Sequence, residues 1–367
     1  MLNSVWRRIV IKVGSALISP DAKGCSTRHL LAIARFISEC RQQGVEVVLV
    51  SSGSVAAGRA AIAFTHQPLP INVKQAMAAV GQTEMMATWS HLFDFRCAQI
   101  LLTHDDLANR RRYLNIDNTL RTLLANQVLP IVNENDSVAT AELKVGDNDN
   151  LAAMVAILVD ADALIICSDI DGLYTANPRT TTDARFIPRV EQINADIYAM
   201  AGGSHHAIGT GGMTTKIQAA DKATRQGVDT LIINGQQAAS FDALLRGETA
   251  GTLFVRQQDR LSAKKHWLLH SLKSQGSITL DSGAVQALLH KGASLLAKGI
   301  INVEGDFDKG DAVWLVGSAG QHLAKGICQY NAAELKRICG AHSQQIADLL
   351  GYCPSEEVVH RDDLVLC

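Results

Sequence analysis

Up to about residue 255, short runs of apolar and mostly β-branched residues alternate with longer stretches whose apolar positions recur at helical spacing. The runs are Ile9 to Val13, Val45 to Val50, Gln99 to Leu102, Val128 to Val132, Leu164 to Cys167 and Thr230 to Ile233. Between them, stretches such as His29 to Gln42 keep Leu30, Leu31, Ala34, Ile37 and Ser38 to one side, as an amphipathic helix does. Near-continuous apolar strands alternating with helices belong to a sheet covered on both faces. The pattern therefore predicts an α/β domain, a three-layer sandwich with a largely parallel central sheet.

After Arg256 the pattern changes. Residues 257–273 are charged and polar and read as a linker. Beyond them, glycines from Gly276 through Gly320 punctuate short segments, a spacing typical of small β structures. Strands are expected at Ser277 to Leu280, Ile300 to Val303 and Ala312 to Val316, and a short helix at Ala332 to Cys339. The predicted organisation is a first domain over 1–256, a linker over 257–273, a small β domain over 274–352 and a tail over 353–367.

Composition narrows the function classes. A chain of 367 residues exceeds what one hydrophobic core usually organises. A hydrophobic share of 47% with 19% charged residues excludes a disordered chain. The 34 basic and 36 acidic side chains leave a net charge of -2, with no global attraction to nucleic acid or anionic lipid, so any anion site must be local. Residues 274–352 hold six basic against seven acidic side chains, which lacks the basic footprint of an RNA binder. No apolar stretch approaches the roughly 20 residues of a membrane helix. The eight cysteines include no C-x-x-C pair, so reduced thiols in a cytoplasmic protein are expected. His205 and His206 lie in a polar stretch and read as surface residues.

In an open parallel sheet, ligands gather beyond the C-terminal ends of the strands. Five such places are rich in glycine and polar residues. At Lys12-Val13-Gly14-Ser15, a lysine sits inside an apolar strand, where an unpaired ammonium is costly; it points at an anion, unless the strand frays there. Ser51-Ser52-Gly53-Ser54 suits a strand-to-helix turn with hydroxyls capping the helix and amides facing an anion. Asn133-Glu134-Asn135-Asp136 reads as a loop gripping a polar ligand or as an Asx turn. Gly146-Asp147-Asn148-Asp149-Asn150 precedes an apolar helix, Leu151 to Val159. Helix capping explains one or two of its residues; the rest suit an ammonium group, neighbouring lysines or magnesium reached through water. Gly209-Thr210-Gly211-Gly212-Met213-Thr214-Thr215-Lys216 opens a helical pattern and offers amides and an ammonium to phosphate, without the Walker A order.

The order and spacing of these loops resemble the amino acid kinase family over Lys12 to Phe254. Val132 through Asp136, together with Lys144 through Asn150, are similar to the branch that phosphorylates L-glutamate on its γ-carboxylate. The second domain resembles the PUA fold, a small β-barrel. The resemblance implies ATP as co-substrate with Mg2+. It implies Lys12 and Lys216 at the ATP phosphates and the transferring group, with Asp149 orienting both. Ser52, Asp136 and Asn148 match glutamate-binding positions. Lys12, Gly14, Ser168, Asp169 and the run Thr210, Gly211, Gly212, Met213, Thr214, Thr215, Lys216 match the nucleotide site. No direct metal ligand is assigned. Proline as a feedback inhibitor and a homo-oligomer, dimer or tetramer, come with the family. Two departures stand out: Ala16 follows Gly14-Ser15 where a second hydroxyl is common, and Ser168 replaces the usual threonine. Alternatives are an aspartate, acetylglutamate or carbamate kinase, a protein binding RNA through the PUA-like domain, or an inactive amino acid sensor, which the presence of both lysines disfavours.

Overall fold

The computed structural model describes residues 6–21, 23–64, 68–138, 148–202, 212–257 and 274–366. The chain divides into two compact units, Met1–Arg260 and Leu261–Cys367.

In the first unit, β1 (Arg8–Val13), β2 (Glu46–Ser51), β3 (Cys97–Leu102), β4 (Leu129–Glu134) and β5 (Ala163–Ser168) are followed by three two-residue strands, β6 (Leu173–Tyr174), β7 (Phe186–Ile187) and β8 (Arg189–Val190). Then come β9 (Asp229–Asn234) and β10 (Thr252–Phe254). The main sheet has the order β3-β4-β2-β1-β5-β9-β10-β8. Its strands from β3 to β9 run parallel, β10 reverses against β9, and the edge strand β8 runs with β10. β6 and β7 form a separate antiparallel pair.

The helices are α1 (Ser15–Ile18), α2 (Leu30–Gln42), α3 (Ser54–Ala57), α4 (Ile71–His91), α5 (His104–Ala108), α6 (Arg110–Ala125), α7 (Asn148–Leu158), α8 (Ala195–Met200), α9 (Met213–Arg225) and α10 (Ala238–Leu245). Strand residues alternate between two cores because successive side chains point to opposite faces. Val10, Val48, Val132, Leu164 and Ile166 join residues of α6, α7 and α9 on one face. Ile9, Ile11, Val47, Leu49, Ile131 and Ile165 join α2, α4 and α10 on the other. Both faces are covered, which explains why the strands are apolar almost throughout. The six anticipated runs are strands, each within about two residues of its expected ends.

The second unit has its own core, centred on Ile278, Leu280, Val313, Leu315, Tyr330 and Leu335. β11 (Ser274–Leu280), β13 (Ile300–Gly305), β14 (Ala312–Val316), β15 (His322–Ile327) and β17 (Leu364–Leu366) form a five-stranded sheet in the order β13-β11-β14-β15-β17. β12 (Leu295–Leu296) pairs with β16 (Glu357–Val359). The expected tail is thus corrected: β16 and β17 lie within 353–367 and close both sheets, with Val358, Val359 and Val365 buried. Their strands are only three residues long, too short to register as a pattern. The expected linker falls almost wholly outside the described residues.

Candidate functional site

The C-terminal ends of β1, β2 and β5 remain tied together past the sheet. Ser52 N donates to Val13 O at 3.1 Å, and Gly14 N donates to Cys167 O at 3.2 Å. β1 stands between β2 and β5, so successive connections leave to opposite sides and a crevice opens at this rim.

Three charged side chains meet there, all nearly buried. Lys12 occupies the next-to-last position of β1, Asp149 the first turn of α7 and Lys216 the first turn of α9. Lys12 Nζ lies 2.6 Å from Asp149 Oδ1, and Lys216 Nζ lies 3.0 Å from Asp149 Oδ2. Burial pushes the Asp149 carboxyl up, but the two ammonium groups outweigh it and hold it down to about 2. Asp149 is therefore ionised at neutral pH, and the triad keeps a net positive charge. Thr215 Oγ stands 3.0 Å from both Asp149 Oδ2 and the Gly212 carbonyl oxygen, so its single proton can serve either. At Gly14, a Cβ would stand 3.8 Å from Lys12 Nζ and 3.4 Å from Cys167 O, so the absence of a side chain keeps the space beside the ammonium open.

On one side of the triad lies a polar cluster. Ser54 Oγ donates to Asp136 Oδ2 at 2.9 Å. Asn148 Nδ2 donates to Ser51 O at 3.0 Å and to Asn133 Oδ1 at 2.7 Å. Asn133 Nδ2 donates in turn to Gln82 Oε1 on α4 at 2.8 Å. Ser52 is buried nearby in the turn after β2.

On the other side is a cavity of about 690 Å³, lined among others by Ser168, Asp169, Gly172, Tyr174, Gly212 and Lys216. That volume falls in the range of small-molecule and cofactor pockets. α9 starts at its edge from Gly212, whose φ of 129° is easy only for glycine, and no described side chain caps the helix. Its first-turn amides are left for an anion. Burial raises the Asp169 carboxyl, but hydrogen bonds from Arg179 Nη2 (3.1 Å), the backbone and Ser168 Oγ (3.2 Å) leave it below its ordinary value.

The described candidates therefore gather at one rim. Thr210 and Gly211, like Lys144 through Asp147, His205 and His206, lie outside the described residues. Two local expectations need correction. Asn133 and Glu134 are not loop residues: they extend β4 opposite Leu101 and Leu102, and both are buried. The Asn133 side chain finds its partners inside the rim, in Gln82, Asn148 and the Glu134 N–H, so its polarity did not end the strand. At the turn after β2, the cap of α3 is not a hydroxyl but Gly53, at φ 98° with no side-chain cap bond. Ser54 is thereby freed to reach Asp136.

The sequence reading also missed α4. Its apolar residues keep to no single stripe, yet Gln82, Met85 and Trp89 lie on one face and run under the rim. Trp89 Nε1 donates to Ser51 Oγ at 3.0 Å, and Ser51 Oγ stands 3.1 Å from Met85 Sδ. The spacing of three and four residues was the available signal.

Among the described residues, no group of three His, Cys, Asp or Glu side chains stands together as a metal cage. Likewise, none of the described helices is long and apolar enough to cross a membrane.

The sequence matches the amino acid kinase family over residues 7–234 and the PUA domain over residues 276–350. It is 60% identical over 363 residues to glutamate 5-kinase of Idiomarina loihiensis, covering 98% of each chain. It is 55% identical over 366 residues to glutamate 5-kinase of Salinibacter ruber, covering 98% of this chain and 97% of that one. Among solved structures, carbamate kinase from Giardia lamblia bound to AMP-PNP superposes with a TM-score of 0.49 at 22% identity, over 69% of this chain and 100% of that one.

Proposed function

The chain belongs to the amino acid kinase family, with a PUA domain after the kinase domain, and from that premise we propose that it phosphorylates the γ-carboxylate of L-glutamate with ATP. The product is γ-glutamyl phosphate, the first intermediate of proline biosynthesis. The observation that carries this reading is the Asp149 carboxylate held between Lys12 and Lys216 at the edge of the cavity.

The reaction brings two anions together. Each unit-charge pair at 4 Å represents about 4 kcal/mol at an effective dielectric of 20, so neutralisation is the main demand on the protein. A side-chain carboxylate with an ordinary pKa of about 4.3 is already ionised at neutral pH and needs no general base. One of its oxygens forms a bond to the terminal phosphorus as the bond to the departing ADP oxygen breaks. Positioning and charge stabilisation then do most of the work. Lys12 and Lys216 supply the charge, and Asp149 holds them together and aimed. Gly14 and Gly212, with Gly211, let the backbone close on phosphate. Ser168, Asp169 and the run from Thr210 through Lys216 hold the nucleotide. Ser52, Asp136 and Asn148 hold glutamate: Asp136 and the Asn148 Oδ1 atom are acceptors suited to its ammonium group.

Magnesium prefers phosphate oxygens and water to an all-protein cage, so it would enter on the nucleotide and share the neutralisation. Proline feedback, a homo-dimer or tetramer and a cytoplasmic location rest on the family resemblance alone. Residues 1–256 carry the chemistry in this reading.

The test is hydroxylamine trapping of acyl phosphate across a panel of glutamate, aspartate, N-acetylglutamate and carbamate, with and without proline. Hydroxamate formed with glutamate and ATP, and suppressed by proline, is the expected result. A preference for another carboxylate would overturn the substrate assignment.

A further inference from the structure

Two backbone groups fix the orientation of three side-chain amides at the rim. The Glu134 N–H can only donate, so the atom 2.9 Å from it is Asn133 Oδ1. The Ser51 carbonyl can only accept, so the atom 3.0 Å from it is Asn148 Nδ2, which also donates to Asn133 Oδ1. Asn133 is thereby left with Nδ2 facing α4, where Gln82 Oε1 receives it at 2.8 Å. Turning any one of the three amides over would set two donors or two acceptors against each other.

Gln82 sits in this chain at a cost. It is 8% exposed, and its Nε2 is buried with no hydrogen-bond partner among the described residues. A buried donor left unpaired destabilises a fold, so packing alone would favour an apolar side chain of the same length at this position. Its neighbour Gly81 packs equally closely: a Cβ there would lie 1.9 Å from Ser54 O and 2.4 Å from Gly58 N. Backbone thus meets backbone between α4 and α3, and α4 is pressed against the turn that carries Ser52 and Ser54.

We propose that Gln82 is a positioning residue for the amino acid substrate: by receiving Asn133 Nδ2, it holds the Asn148 amide with both its donor contacts directed into the protein and Oδ1 presented to the ligand. The consequence is selectivity for a substrate that brings a donor, the free ammonium group of an amino acid, to that oxygen. The inference rests on the assignment of Asn148 to the glutamate subsite made above.

Gln82→Met removes the acceptor while keeping the length of the side chain. Losing one buried contact of this kind raises the KM for glutamate about tenfold. In a positioning role, kcat and the KM for ATP stay within about twofold of wild type. In an Asn148→Ala background, the same substitution adds less than about twofold, because its route to the substrate has already gone. Should Gln82→Met fail to fold, Gln82→Leu takes its place, since it likewise offers no acceptor to Asn133 Nδ2 and cannot turn over to supply a donor; the glutamate KM rises there too. An unchanged glutamate KM in a folded variant, effects that multiply in the double variant, or parallel rises in both KM values would overturn the proposal. If Asn148→Ala alone leaves the glutamate KM unchanged, the subsite assignment falls and takes this inference with it. If Asn148→Ala is defective and the Gln82 variant is not, this inference fails alone.

Discussion

Lys12 and Lys216, from β1 and α9, take opposite oxygens of one buried carboxylate, at 2.6 and 3.0 Å. Asp149 holds together two like charges that would otherwise repel in a poorly solvated place. It also fixes their spacing before any ligand arrives, and such preorganisation is where electrostatic catalysis gets its strength.

Lys216→Ala is expected to lower kcat by about a hundredfold or more, the scale of removing one preorganised donor from a transition state. Asp149 keeps Lys12 as a partner in this variant, so the fold survives. Single-turnover rates alongside the far-ultraviolet circular dichroism spectrum check both halves. Near-normal turnover in a folded protein would remove Lys216 from the chemistry.

Asp149→Asn should be worse for the fold than either lysine substitution. It leaves two buried ammonium groups uncompensated, and breaking a buried pair in this way costs about 3–5 kcal/mol. A bound nucleotide brings negative charge back, so ATP should raise the melting temperature of Asp149→Asn by more than it raises that of the wild type. Equal thermal shifts would mean that nucleotide phosphates do not face this triad.

Acid should weaken the protein between about pH 4 and 2. The folded state holds Asp149 ionised down to about 2, whereas the unfolded chain takes up its proton near the ordinary aspartate value of 3.8. The unfolded state therefore binds more protons in that window, and stability falls as the pH drops through it. Denaturant titrations at successive pH values read the slope, and Asp149→Asn should flatten it. An unchanged slope would show that the carboxylate titrates normally.

Gly81→Ala should destabilise the first unit although alanine is the better helix former. Its Cβ would meet the backbone of Ser54 and Gly58, and overpacking of this kind costs about 1–3 kcal/mol. Because the displaced helix carries Gln82, the KM for glutamate should rise with the loss of melting temperature. A variant as stable as the wild type would show that α3 and α4 pack less closely than described.

Local sequence carried much of this protein. Strand runs separated by helical periodicity specified a parallel sheet with both faces covered, because apolar period is a property of neighbouring residues. A lysine within an apolar strand marked Lys12, and glycine-rich and Asx-rich stretches at strand ends marked the turns around Gly14, Gly53, Asn148 and Gly212. What the sequence could not decide was which polar groups satisfy one another across the fold. Asn133 and Glu134 look like loop residues until β3 pairs beside them, and Gln82 has no distinction on a helix of mixed polarity until Asn133 reaches it. The terminal strands β16 and β17 were equally hidden, being three residues each and defined only by the partners that complete their hydrogen bonds. Tertiary structure decides these points because a buried donor or acceptor is satisfied by proximity in space, and that proximity depends on strand order and helix packing, which no local window of sequence contains.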